Sequence, residues 1–240
     1  MYSGAASSHD PKRVHGLVAM RRPATAGELM QFLQAVQWMR TSLPGLAKVV
    51  APLKTMLQEY LRNTRRTRNV ADRRIISAVD WTSEREEAWE AAKILVSESV
   101  PLHLPRGDRQ VLNFPNASDE FWGGCVTHVP PEDLNSGTAV EHMRHEPLAF
   151  VSGAFKGAQI RWPVVDKEAF AIVSTFMRLP YLFWNGANIY CDHRNLAYIF
   201  YPVACMVTTS KATAQRLQGW SVYLGQLRDT IVHIPGARNC

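Results

Sequence analysis

A chain of 240 residues is long enough for two small domains or for one core with an appendage. A hydrophobic share of 46% against 20% charged residues excludes wholesale disorder, and a net charge of +6 favours an anionic partner. No stretch reaches the roughly 18 uninterrupted apolar residues of a membrane span, MYSGAASSHDPKRV lacks the apolar centre of a secretory signal, and Cys125, Cys191, Cys205 and Cys240 form no C-x-x-C pair. Reduced thiols in an intracellular chain, cytoplasmic or nuclear and without a membrane partner, fit these observations.

Residues 1–24 are small, polar and basic, with Pro11 and Pro23 and no sustained period, which predicts a flexible N-terminal arm. From Thr25 the pattern changes. Thr25 and Glu28 have the spacing of a capping box, and Leu29, Phe32, Leu33, Val36 and Met39 keep helical spacing, predicting a helix over about 26–42. Pro44 stops it, and LAKVVAPLKTMLQEYL over 46–61 resumes the period across Pro52, which suits a first helical turn. Between Arg62 and Arg74, RNTRRTRNVADRR sets six arginines against one aspartate. A solvated linker explains this composition, and so does a phosphate-contacting patch of Arg62, Arg65, Arg66, Arg68, Arg73 and Arg74, because clustered guanidiniums bind phosphate bidentately and release counterions. Thr82 then caps an amphipathic helix carrying Ala88, Trp89, Ala92, Leu95 and Val96.

From Gln110 the periodicity becomes that of strands. Gln110 to Phe114 and Trp122 to Val129 read as neighbouring antiparallel strands, with Gly123 and Gly124 as a point of close approach and Pro130-Pro131 as a stop. A polar loop over 131–145, a strand over 147–151, a long helix over 164–183, a strand over 188–191, a short helix over 196–200, a helix over 210–224 and a strand over 229–234 follow. This is an α/β pattern, an α+β mixed sheet with helices packed on it.

Three stretches stand out: LNFPNASDEFWGG over 112–124, VVDKEAFAIV around Glu168, and IYCDHRNLAYIF around Asp192. In this order they resemble the RNase H domain of gypsy-type LTR retrotransposon reverse transcriptases. That family has a strand ending in Thr-Asp-Ala-Ser, then Glu-Lys-Glu-Leu-Leu-Ala-Ile, then Thr-Asp-His. GELMQFLQAVQWMRTSLPGLAKVVAPLKTML is similar to the thumb segment of the same proteins, although a plain two-helix packing unit has the same appearance. DWTSE through VPLHLP fills the place of the connection. The resemblance implies a flexible arm over 1–24, a helical thumb/connection-like region over 25–105 containing the basic segment 62–74, and an RNase H-like domain over 106–240 lacking its last helix. No Tyr-x-Asp-Asp motif is present, so no polymerase palm is expected.

The resemblance further implies hydrolysis of the RNA strand of an RNA–DNA hybrid with Mg²⁺ or Mn²⁺, in which two ions about 3.5–4 Å apart require several hard anionic ligands. Carried over, Asn116 takes the strand aspartate position, Glu168 the helix glutamate and Asp192 the second strand aspartate, all three as catalytic and metal-binding positions. Asn116 brings an oxygen without a charge, so a degenerate site with weak or absent activity and weakened hold on the ions is expected. The fourth acid of the family, in an Ala-Asp-x-Leu-Ser-Arg pattern, would lie beyond Cys240. Asp119 is no obvious substitute for the missing carboxylate, since an offset of three along a strand changes face. Read singly, Glu168 is also compatible with a solvated helix position beside Lys167, and Asp192 with a helix cap. The alternative function is a domesticated, non-catalytic nucleic-acid-binding or scaffold subunit of a larger assembly. The expected partners are an RNA–DNA hybrid or other nucleic acid, and a protein covering the incomplete domain.

Overall fold

The computed structural model describes residues 2–3, 6–62, 68–193, 196, 211–225 and 230–235. It divides into two compact units, Met1–Pro101 and Leu102–Cys240, placing the division slightly ahead of the 105/106 boundary expected from sequence.

The first unit is helical. The expected arm is not extended throughout: Pro11–Val18 forms helix α1, with proline in its first turn and the Asp10 carboxylate accepting the Lys12 N–H at its start. Val14, Leu17, Val18 and Met20 pack against the unit's core, so the segment belongs to this unit. Helix α2 (Ala26–Trp38) opens on the anticipated cap. Thr25 Oγ1 accepts the Glu28 N–H at 3.1 Å, while the Glu28 carboxylate reaches back to the N–H of Ala24 at 2.7 Å, one residue before the cap. The predicted run over 46–61 breaks at Val50 into α3 (Leu46–Val49) and α4 (Ala51–Tyr60), with Pro52 in the opening turn of α4. A short α5 (Arg68–Asp72) precedes α6 (Ser83–Ser97), which Thr82 caps by accepting the Arg85 N–H. Trp89 of α6 packs on Phe32 of α2, ring centroids 4.2 Å apart, and both side chains are buried.

The second unit holds a five-stranded mixed sheet. Its strands are β1 (Gln110–Ala117), β2 (Phe121–Val129), β3 (Glu146–Ala154), β4 (Asn188–Cys191) and β5 (Thr230–His233), in spatial order β3-β2-β1-β4-β5. The first three are antiparallel neighbours; β4 lies parallel to β1 and β5 parallel to β4. The interval expected to be a polar loop contains α7 (Pro131–Asn135) and a single 3₁₀ turn. Helix α8 (Val164–Arg178) covers one sheet face with Ala169, Ala171, Ile172, Val173 and Phe176. It ends earlier than the predicted 183, because Pro180 has no N–H to continue the ladder and a 3₁₀ turn over Pro180–Leu182 takes over. Helix α9 (Lys211–Leu224) packs on α8. The other sheet face is closed by Leu112, Phe114, Val129, Val140, Tyr190 and Ile234. Of the short helix expected over 196–200, all but Leu196 lies outside the described residues.

Gly124 lets α8 approach the sheet. A Cβ there would stand 2.6 Å from Thr175 Oγ1 and 3.2 Å from a Val151 methyl, and Thr175 is fully buried with its hydroxyl donated to Ala171 O. Gly124→Ala is therefore expected to lower stability by about 1–3 kcal/mol, the usual cost of overpacking. In urea unfolding the midpoint should drop with an unchanged m-value; an unchanged midpoint would refute the close approach.

Candidate functional site

The three sequence-selected residues are brought to one end of the sheet. Asn116 is the penultimate residue of β1 and exposed; Asp192 directly follows the last residue of β4 and is half-buried; Glu168 is the fifth residue of α8. The parallel pairing Leu112 with Asn188 and Asn113 with Ile189, continued at the same offset, sets Asn116 level with Asp192. Stacked rings of Phe114 and Tyr190, centroids 5.2 Å apart, hold that alignment. Pro115 contributes no N–H to the β1 ladder just before Asn116. The location, at the carboxyl ends of adjacent parallel strands beside a helix start, is where open α/β sheets form ligand crevices.

Glu168 is not the solvated helix residue that its position beside Lys167 allows. Its side chain is buried, 4% exposed. Oε1 accepts the Ala117 N–H at 3.1 Å, and Oε2 is buried without a hydrogen-bond partner. Burial first, and then the negative charge of Asp192, push its carboxyl up to about 8, with the Ala117 N–H acting in the opposite direction.

The flanking residues of Glu168 are buried as well, each against a different neighbour. Lys167 Nζ donates to Asp119 O at 2.7 Å and lies 5.5 Å from the Phe155 ring centroid. Asp119 presents its carboxylate to solvent, 99% exposed, and so does not replace the acid missing at position 116. Asp166 is fully buried and accepts from Arg216 Nε at 3.0 Å, from Arg216 Nη2 and from Thr213 Oγ1 at 3.2 Å. The Arg216 guanidinium also stacks over Trp162 at 4.9 Å. Sequence reasoning missed Asp166, Lys167 and Arg216. Lys167 and Asp166 looked like an ordinary polar helix start, and Arg216 lies 50 residues from its partner.

Cys191 is fully buried and its thiol is pushed up to about 11 by burial, in line with an unreactive packing residue. Trp122 is a core aromatic, Trp162 is half-buried and Trp184 is 89% exposed. Of the arginine segment, Arg62, Arg73 and Arg74 are exposed and Arg68 opens α5; Arg65 and Arg66 lie outside the described residues.

Among the described residues no group of three or more His, Cys, Asp or Glu side chains is arranged to hold a metal ion. The donors at the sheet end are the carboxylates of Glu168 and Asp192 and the side-chain oxygen of Asn116. An orphaned, buried Oε2 beside a second carboxylate suits one hard divalent cation. Among the described residues the set brings two negative charges, fewer than a pair of such ions at close range calls for.

Comparison with known proteins places this geometry. Residues 109–227 match the model of the RNase H-like domain found in reverse transcriptase. The chain is 23% identical over 232 residues to the Tf2-3 and Tf2-4 transposon polyproteins of Schizosaccharomyces pombe, an alignment covering 95% of the chain but 15% of each polyprotein. It spans about one seventh of the length of these relatives. Foamy viral protease-reverse transcriptase structures share the fold. The one in complex with dsDNA aligns with a TM-score of 0.69 at 14% identity, over 98% of this chain and 44% of that one; the one in complex with an RNA/DNA hybrid aligns at 0.65 and 16%, over 100% and 30%. No helix among the described residues is long and apolar enough to cross a membrane.

The Glu168 carboxyl generates a pH dependence of known sign. Its folded-state value of about 8 lies above the ordinary 4.5, so the folded form holds a proton the unfolded form has lost. Without divalent ions, stability is expected to be greatest below about pH 4.5 for this group and to decline up to about pH 8. Glu168→Gln should abolish that decline and be the more stable protein at pH 8 by a few kcal/mol. Urea melts in EDTA between pH 5 and 8.5 measure this, and parallel profiles for the two proteins would refute it.

Proposed function

Because the chain carries an RNase H-like domain of the kind found in reverse transcriptases, we propose that it is the thumb/connection and RNase H portion of a retrotransposon polyprotein, hydrolysing the RNA strand of an RNA–DNA hybrid weakly. The observation that carries the reading is the buried Glu168 carboxyl, bonded to the Ala117 N–H beside the strand ends that bear Asn116 and Asp192. Glu168 and Asp192 would hold a Mg²⁺ or Mn²⁺ ion. When bound, such an ion supplies positive charge at the scissile phosphate and lowers the pKa of a coordinated water.

The contributions of the chain's own residues follow from the geometry. Ala117 N–H fixes Glu168 Oε1, leaving Oε2 available as a ligand. Asp192, half-buried, offers a second anionic oxygen from the strand end. Asn116 offers a neutral oxygen that cannot bridge two cations as a carboxylate does, and this limits turnover rather than placement. Hybrid binding is supported by the alignment with nucleic-acid complexes and by the exposed Arg62, Arg73 and Arg74, which would neutralise backbone phosphates without reading sequence.

Cleavage of a labelled RNA–DNA hybrid in Mg²⁺ and in Mn²⁺ tests the reading. The chain as it stands should cleave slowly, Asn116→Asp should raise the rate at least tenfold, and adding Asp192→Asn to that variant should abolish the gain. No cleavage by Asn116→Asp, with hybrid still bound, would overturn the nuclease reading. For the arginines, Arg73→Ala with Arg74→Ala is expected to reduce the slope of log affinity against log salt on duplex by about 1.8. An unchanged slope would remove these two residues from the interface.

A further inference from the structure

We propose that Asp166 and Arg216 are positioning residues for Glu168, fixing the first turns of α8 so that its carboxylate stays at the sheet end that bears Asp192; the proposal rests on the reading of Glu168 as a cation ligand. The start of α8 lacks the usual local restraint. Pro163 occupies the cap position and provides no side-chain hydrogen bond to the free N–H groups of the first turn. Among the described residues Glu168 itself is held by a single hydrogen bond, from Ala117, while the neighbouring Asp192 charge repels it. A carboxylate in that position swings away or protonates unless the backbone beneath it is held by something else.

Arg216 supplies that hold from outside the helix. It grips the start of α8 on both sides of Pro163, with its guanidinium over the Trp162 ring at 4.9 Å and its Nε and Nη2 N–H groups on the Asp166 carboxylate. Thr213, one turn earlier on α9, donates to the same Asp166 oxygen, so two residues of α9 converge on one residue of α8. A buried ion pair is a poor way to gain stability, since apolar residues of similar volume commonly do as well. It is an effective way to fix direction, because the planar guanidinium accepts few orientations. Lys167 ties the adjacent residue to the turn after β1, bonding Asp119 O at 2.7 Å, so that the strand end bearing Asn116 and the helix turn bearing Glu168 are secured to each other.

The test measures Mn²⁺ binding to the full chain by the loss of the free-ion paramagnetic resonance signal, alongside melting temperature and RNA–DNA hybrid affinity. Asp166→Asn and Arg216→Met are expected to weaken Mn²⁺ binding about 10- to 100-fold, the usual effect of removing a group that orients a ligand. Arg216→Lys should recover only part of the loss, and hybrid affinity should stay within twofold. Val140→Ala, on the opposite sheet face, is the control for stability: it should lower the melting temperature and leave Mn²⁺ affinity intact. Mn²⁺ affinity unchanged in Asp166→Asn, or reduced as much by Val140→Ala, overturns the positioning role. If Arg216→Met does not fold, the near-isosteric Asp166→Asn decides. If the parent chain binds no Mn²⁺, or if Glu168→Gln binds it equally well, the cation-ligand reading itself has failed and the positioning role falls with it.

Discussion

A carboxylate removed from water beside a second carboxylate is the constraint on which the architecture of the second unit turns. Glu168 is 4% exposed, keeps one hydrogen bond, and faces the charge of Asp192. Unaided, such a group relaxes towards solvent or takes up a proton. Several otherwise separate features act together to prevent the first outcome. The spatial order of the strands sets β4 beside β1 rather than beside β3, so the ends carrying Asp192 and Asn116 are neighbours. The missing side chain at Gly124 lets α8 settle onto β2, and the packing of Ala169, Ile172 and Phe176 prevents the helix from lifting. The second outcome, protonation, is left open, and the carboxyl value of about 8 expresses it. On the proposed reading a cation would compete with a proton for Glu168.

On the proposed reading, Asn116 would change this balance in a direction that helps the fold and weakens the chemistry. A third carboxylate at the end of β1 would add to the repulsion between Glu168 and Asp192 and raise the stability lost above neutral pH. A neutral amide relieves it. Residues tuned for catalysis commonly destabilise the folded state, and their replacement is correspondingly easy to accommodate. Asn116 is exposed and lies on a strand whose register with β2 is unbroken over its length, so nothing in the backbone opposes either side chain there. The substitution is electrostatic, and the scaffold around it retains the placement of the remaining two acids.

Local chemistry made most of the elements legible in the sequence. The Thr25 and Thr82 caps, the β-rich runs of β1 and β2 and the close approach at Gly124 all depend on residues within a few positions of one another, and all appear in the structure. What failed to show depends on distant partners. Residues 1–24 have too few apolar positions to announce a helix, yet α1 forms because Val14, Leu17 and Val18 find a surface to cover. The helical period running through Phe183 hid the end of α8 at Arg178, where the backbone turns ahead of Pro180. Glu168 sits in a run of Asp, Lys and Glu that in isolation describes a solvated helix start. The burial of that run accompanies contacts to three places distant in sequence: Asp166 to α9, Lys167 to the Asp119 turn and Glu168 to the end of β1. The alignment of Asn116, Glu168 and Asp192 at one sheet end was readable only through resemblance to a family, since spacings of 52 and 24 residues carry no geometric information by themselves.

On the proposed reading the two units separate the physical tasks of acting on a hybrid. Affinity for a nucleic-acid backbone grows with the number of phosphates neutralised and is indifferent to the placement of any single cation within an ångström or so. The exposed arginines Arg62, Arg73 and Arg74 of the first unit would suit that requirement. Turnover has the opposite character, depending on sub-ångström placement of a few charges in a protected crevice, and would draw on the second unit, where Asp166, Lys167 and Glu168 are each buried and held. On that reading, a neutral side chain at Asn116 would penalise the task that tolerates error least and leave the other largely untouched. Grip on a hybrid and capacity to cut would then be separable, because the two properties draw on different residues, different degrees of burial and different tolerances of position.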